Sequence, residues 1–485
     1  MDQPRHIIIH GHFYQPPRES PWTGLIAPEP GAAPFANWNE RILSECYNAN
    51  AHAHTMEGRV VHIINNYESI NFNFGPTLFG WLERHGNIAY RAVRLGDEAS
   101  VKRRGGHGNA MAQAYSHSIM PLLSARDKEI QVSWGIEDFV YRFGRRPEGM
   151  WLPECAVDEE SLAALARAGI KYTILAPGQG QFIPDEGVAP GEAGPFEWRR
   201  GDLSIAIFRF DHDLSGQIAF SDLLSDGARL ADLLANAAFA QPPGAAVMIA
   251  TDGETFGHHK KTGAAELART NALLAEREGL LLTNCAEYLA DHPRRGRFEI
   301  DSPSAWSCGH GVERWRSNCG CRLDPNTSQE WRGPLRDAML FIKDHADAVY
   351  DRFAPPLVDD PMAALREAIR LFIDDSPVTA EQFLVRHKVK EEAKRDELLR
   401  LLEMERAAHA TLTSCAWFFD DFAGPEGRIV LRWAARTAEL AAEFAPDVES
   451  ELLHRLRAIH SNRHEIGDAA TLYLSLKTRE ARGRV

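Results

Sequence analysis

The chain has 485 residues, 44% of them hydrophobic and 25% charged, with a formal net charge of −14. That length exceeds one ordinary core and calls for two or three packed units. No run reaches the roughly eighteen apolar residues of a bilayer-spanning helix, and the negative charge opposes binding to phosphate backbones, so membrane and nucleic acid are excluded as partners while a neutral polysaccharide is not.

In chain order, the start (MDQPRH) lacks the basic region, long apolar stretch and small-residue cleavage site of a signal peptide, which predicts a cytoplasmic protein. Residues 6–13 (HIIIHGHF) read as a buried strand whose end opens onto polar chemistry, and INFNFG at 70–75 reads as a second. GMWLPE at 149–154 is strand-like. Asp158 then caps a helix that Gly169 ends, and IKYTIL at 170–175 is the next strand. LSIAIFRF (203–210) and AVMIAT (246–251) are nearly continuous apolar runs, the pattern of strands covered on both faces, so a parallel β/α organisation follows. Beyond about residue 330, glycine becomes sparse and the apolar period changes to 3.6, as in REAIRLFI, KRDELLRLLEMERAAHATL, RIVLRWAARTAELAAEF and ESELLHRLRAI. A helical domain is predicted there, with the chain dividing into 1–325 and 326–485.

In parallel β/α barrels catalytic groups sit at the C-terminal strand ends, where His10, His12, Glu154, Asp211 and Asp252 all fall. Glu154 lies between a strand and a helix, and Asp252 lies in ATDGETFG, where Gly253 and Gly257 permit a tight turn. Two carboxylates on facing strand ends suit glycoside hydrolysis, in which one must stay protonated for the leaving oxygen while the other acts at the anomeric carbon. Around them His10, His12, Gln15, Trp151, Asp211, His212, Trp306, His310 and Trp315 supply rings for sugar faces and polar groups for hydroxyls. No cofactor is expected.

The seven cysteines (46, 155, 285, 308, 319, 321 and 415) are an odd set in a large chain and read as reduced thiols. Cys308, His310, Cys319 and Cys321 are types that ligate zinc, but paired C-x-x-C knuckles are missing, so AWSCGHGVERWRSNCGC (305–321) reads as a structured substrate loop without metal. A rival reading is a divalent-metal carbohydrate hydrolase or deacetylase using His10, His12 and Asp252, with His258 and His259 nearby, although two adjacent histidines cannot both face inward from extended chain. A non-catalytic glycan-binding protein is the third.

HGHFYQP from His10, GMWLPE ending in Glu154 and TDGETFG containing Asp252 resemble, in order, the histidine, nucleophile and acid/base motifs of glycoside hydrolase family 57. SCGHGVERWRSNCGC and SCAWFFDDFAG (414–424) resemble the branch of that family that carries a C-terminal domain of unknown function. The resemblance implies a (β/α)7 barrel followed by a helical domain contributing to the cleft, retention of configuration, and action on α-linked glycans. It makes Glu154 the nucleophile, Asp252 the acid/base and His10 or His12 a sugar contact. The first motif departs from the family in the residues before Gln15-Pro16, and HGNAMAQAYSHSIMPL, with His117, has no acid at its start.

Overall fold

The computed structural model describes residues 3–57, 60–189, 191–292, 294–389 and 391–483. It comprises two units: Met1–Gln15, Pro28–Gln113 and Phe139–Trp306 form the first, and Pro16–Ala27, Ala114–Asp138 and Ser307–Val485 the second. The second unit therefore draws two segments from the first third of the chain. No helix among the described residues is long and apolar enough to cross a membrane.

The first unit is α/β. Its central strand β1 (Arg5–Phe13) is flanked in parallel by β2 (Asn71–Phe74) on one side, and β3 to β7 follow as Ala112–Gln113, Met150–Trp151, Tyr172–Leu175, Leu203–Arg209 and Ala246–Asp252. β1 and β7 are parallel, with His12 opposite Asp252, and the other edge of β1 places His12 opposite Asn73. Ile7, Ile8, Ile9, Val247, Met248 and Ile249 are all buried, as the unbroken apolar runs require. Phe72 of β2 bridges to Ala110, β3 pairs in parallel with β4, Gly149 bridges to Tyr172 of β5, and β5 pairs in parallel with β6. Past the end of β6, the Asp211 amide donates to the Met248 carbonyl of β7 at 2.7 Å.

Helices follow the strands: Pro76–His85 and Asn87–Arg103 after β2, Glu159–Arg167 after β4, His212–Phe220 and Gly227–Phe239 after β6, and Gly263–Ala275 after β7. Asp158 caps its helix as expected, accepting from the Ser161 amide at 2.7 Å.

The second unit contains helices Arg332–Phe353, Glu392–Ala410, Pro425–Ala441, Val448–Arg457 and Ala469–Gly483, with shorter ones between. REAIRLFI is not one helix but two, Pro361–Glu367 and Arg370–Ile373. Inside this unit lies a closed ionic cluster. The Lys343 ammonium, with no exposed surface, contacts Asp127 at 2.8 Å, Asp347 at 2.7 Å and Glu405 at 3.7 Å. The His409 ring packs on Trp134 beside them. His117 is a packing residue of this unit: it is buried, its Nδ1 lies 2.6 Å from the Ser414 hydroxyl, and its carbonyl accepts from the Ser414 amide.

Candidate active site

The end of β1 carries two imidazoles on one side of the strand, because alternate residues share a face. His10 and His12 are both buried and both stack on the Trp151 ring, at centroid distances of 4.8 and 4.9 Å. Two asparagines of β2 complete the layer. Asn71 Nδ2 donates to His10 Nδ1 at 2.6 Å, and His10 Nε2 then donates to Asn73 Oδ1 at 3.2 Å. His12 Nδ1 lies within hydrogen-bond reach of the same asparagine, 3.0 Å from Asn73 Nδ2 and 3.3 Å from Asn73 Oδ1. Burial, and for His10 also the neighbouring His12, pushes both rings down to about 3, so they are neutral hydrogen-bonding groups at neutral pH.

Trp151 has no exposed surface. The expectation that it stacks on sugar is corrected here, because a ring with both histidines against it and no face open to solvent positions those histidines instead. Trp306 is the more open ring. Its indole N–H donates to Glu154 Oε2 at 3.1 Å and its plane stands at 71° to Trp151.

Glu154 sits in the left-handed region, with φ 57° and ψ 22°, and Cys155 follows at φ 47°. Two consecutive non-glycine residues there store strain and persist only where the surroundings enforce them. The enforcement is visible: the Trp306 amide donates to the Glu154 carbonyl at 3.0 Å, Gln179 Nε2 donates to the Cys155 carbonyl at 2.6 Å, and Val157 exchanges backbone hydrogen bonds with Ser304. The turn holds the carboxyl where the straight strand would not.

Asp252 ends β7. Gly253 follows because a Cβ there would stand 2.2 Å from the Phe13 ring, which stacks on Phe74. The Asp252 carboxyl touches solvent, yet the protein around it removes much of its hydration. That desolvation, followed by the negative charge of Glu154, pushes its pKa up to about 7. A carboxyl so placed is protonated in about half the molecules at neutral pH and can both give and take a proton.

Glu254, the second acid of TDGETFG, is buried two residues on. It accepts from the Tyr47 hydroxyl at 2.7 Å and the Tyr14 amide at 3.1 Å. Burial, together with Asp252, raises it to about 8 against the pull of the Tyr47 hydrogen bond. It is therefore largely neutral at pH 7, and the field at Asp252 is set by Glu154. Asn71 and Asn73 were missed, because only the strand register sets them opposite His10 and His12. Tyr47 carried no signal, because it lies in a helical stretch about two hundred residues before its partner.

The remaining expected residues divide. Gln15 is buried and donates to the Tyr14 carbonyl at 2.9 Å. Asp211 caps helix His212–Phe220, accepting from the Leu214 amide at 2.9 Å, and His212 is exposed on its first turn. His310 and Trp315 belong to the second unit, where His310 stands against Cys321 and Trp315 is completely buried, with no ring face for a sugar. Among the described residues, His10, His12 and Asp252 do not form a group able to share a metal ion, since both ring nitrogens of His10 are committed to asparagines. His258 is paired with Glu45.

The sequence profile of glycosyl hydrolase family 57 matches residues 103–301, which include Glu154 and Asp252, and that of a domain of unknown function, DUF3536, matches 328–481. Residues 103–301 of the chain thus carry the sequence profile of glycosyl hydrolase family 57. Alpha-amylase 1 of Dictyoglomus thermophilum is 26% identical over 107 residues, 22% of this chain and only 15% of the amylase's length. Among solved structures, an exo-type maltose-forming amylase from Pyrococcus sp. ST04 is similar with a TM-score of 0.70, at 16% identity over 93% of this chain and 83% of the amylase. A branching enzyme of family 57 from Thermococcus kodakaraensis has a TM-score of 0.51, at 15% identity over 93% of this chain and 94% of its own. At those identities the likeness shows a shared fold alone.

Proposed function

We propose that the protein is a retaining glycoside hydrolase or transglycosylase of α-glucans, with Glu154 as nucleophile and Asp252 as acid/base. The observation that carries the reading is the placement of two acids after strand ends, Glu154 held in a left-handed turn and bonded by Trp306, and Asp252 opposite His12 of β1, with desolvation and the charge of Glu154 raising Asp252 in support. Protonated Asp252 gives its proton to the glycosidic oxygen while Glu154 attacks the anomeric carbon and forms an ester. Ester formation removes the negative charge of Glu154, so the pKa of Asp252 falls and the group becomes the base that deprotonates the acceptor. Water as acceptor gives hydrolysis and a sugar hydroxyl gives transfer.

The family 57 profile over 103–301 and the match to an α-amylase support an α-glucan. His12, held by Asn73 and the Trp151 ring, and Trp306 are the residues proposed to meet the sugar beside the acids. The succession of pairings from β1 through β7, closed by the Asp211–Met248 hydrogen bond, supports a seven-stranded (β/α)7 barrel as the frame. We further read 1–325 as the catalytic part and 326–485 as a helical domain.

The test is incubation with α-glucans, α-mannans and α-galactosides, with products identified by mass spectrometry and their anomers by NMR. Retained α-products from α-glucans are expected. Inverted products would remove the nucleophile role of Glu154, and glycan binding without turnover across the panel would remove the enzyme.

A further inference from the structure

We propose that Cys308, His310, Cys319 and Cys321 bind one zinc ion through three thiolates and the Nδ1 of the imidazole. All four residues belong to the second unit. Their ligand atoms lie within 4.8 Å of one another. Cys321 Sγ is 3.9 Å from Cys308 Sγ and 3.6 Å from His310 Nδ1. A tetrahedral zinc with Zn–S near ~2.3 Å and Zn–N near ~2.05 Å sets S···S edges of about 3.8 Å and S···N edges of about 3.6 Å. The side chains stand at the spacing of a coordination shell.

A disulfide is a different geometry. It draws two sulfurs to about 2.05 Å and has no use for a third thiol or an imidazole, whereas all these cysteines are free and at van der Waals separation. The sequence arranges the ligands as two short pairs, Cys308-Gly309-His310 and Cys319-Gly320-Cys321, rather than as C-x-x-C. Gly320, at φ +86°, makes the reversal that lets both of its neighbours face one point.

The chain around these residues explains why an ion is needed. From Arg316 to Ser328 there is neither helix nor strand, and no side chain is buried. Such a segment has no apolar core to fix it, and small coreless segments are ordinarily held by a metal or by disulfides. Its backbone is nevertheless fixed on the far side. The Asp420 carboxylate accepts from the Leu323 and Asp324 amides at 2.9 and 2.6 Å, and Arg332 donates to the Cys321 carbonyl at 2.7 Å. Zinc with three thiolates carries a net charge of −1, and the fully buried Arg332 guanidinium supplies the compensating positive charge beside it.

Binding exchanges three thiol protons, released to solvent, for three Zn–S bonds, while the imidazole stays neutral with its proton on Nε2. With four protein ligands no position is left for water or substrate, so the ion is a structural clamp. Soft sulfur donors select zinc over magnesium or calcium.

The test uses the full chain without an affinity tag, purified under reducing conditions. Elemental analysis is expected to find about one zinc per chain. Cobalt exchanged into the wild-type protein should give the visible d–d bands and sulfur-to-metal charge transfer of a tetrahedral thiolate site. Cys319→Ser combined with Cys321→Ser should lose the metal and open 316–328 to proteolysis. His310→Cys should keep it with an altered cobalt spectrum, and Cys285→Ser, a thiol of the first unit, should not change it. Should the double variant fail to fold, the cobalt spectrum of the wild-type protein still decides. Metal-free protein that takes up no tetrahedral cobalt while its thiols remain reduced overturns the site, as does a disulfide among Cys308, Cys319 and Cys321 in the native protein.

Discussion

In the first unit Asp252 stands open at a strand end with Glu154 as its charged neighbour, whereas in the second unit Glu405 lies fully buried against Lys343, and burial raises both carboxyls. The companions make the difference. Around Lys343, Asp127 keeps its charge: burial pushes it up, but His409, the Lys343 ammonium and the Ser124 hydroxyl hold it down at about 2. Asp127, Asp347 and Glu405 all face the Lys343 ammonium, which has no exposed surface, so opposite charges answer one another there. At Asp252 the neighbour has the same sign and the group meets solvent, the combination that lets a proton move. A perturbed pKa becomes a sign of chemistry only when the group is also open.

This comparison can be broken from either side. The largest effect belongs to the strand ends: Glu154→Gln and Asp252→Asn should each lower turnover of maltooligosaccharides by about a thousandfold or more, with the fold intact. Near-native rates in either variant would dissolve the distinction. Next, Lys343→Met leaves the Asp127 charge buried without its cation and should cost about 3–5 kcal/mol in denaturant unfolding, while the folded fraction keeps its specific activity. A loss of activity without a loss of stability would place the cluster in the reaction. Third, Trp306→Phe removes the hydrogen bond to Glu154 and should lower kcat about tenfold, in line with the worth of a hydrogen bond to a charged group. An unchanged kcat would show that this contact does not orient the nucleophile.

The smallest effects concern pH. The acid step needs protonated Asp252, so kcat/KM should fall as pH rises through about 7. The folded-state pKa lies above the ordinary value, so the folded protein binds the extra proton between about pH 4 and 7, and stability attributable to Asp252 declines as pH rises across that window. Asp252→Asn escapes the decline and should match the parent near pH 4 but unfold at a higher temperature at pH 8. The reverse order would mean that Asp252 is not desolvated in the folded state.

Strand ends were legible because a buried parallel strand is an apolar run and the first polar residue after it marks the exit, as at His10, Asp211 and Asp252. Cross-strand partners were not. Asn71 and Asn73 are ordinary strand residues until the register sets them opposite His10 and His12. Trp151 illustrates a limit of residue type, since an indole beside two histidines reads equally as a sugar platform or as their support, and only burial separates the two. Asp211 was read as a ligand for sugar, and the structure spends one oxygen on a helix N-terminus. In the cysteine loop the reading relied on C-x-x-C spacing, which is one way to curve a chain around a point, and a left-handed glycine between ligands is another.

The left-handed backbone at Glu154 has a practical consequence for engineering. Alanine at this position keeps the strain while losing the carboxyl, whereas glycine adopts φ 57° freely, so Glu154→Gly should melt above Glu154→Ala by about 1 kcal/mol of stability. The same glycine empties the space on the reacting face of the sugar. Supplied with an activated glycosyl fluoride of the anomeric configuration opposite to the natural substrate, that variant would be the preferred scaffold for running the enzyme as a synthase, joining sugars without the means to cut them apart.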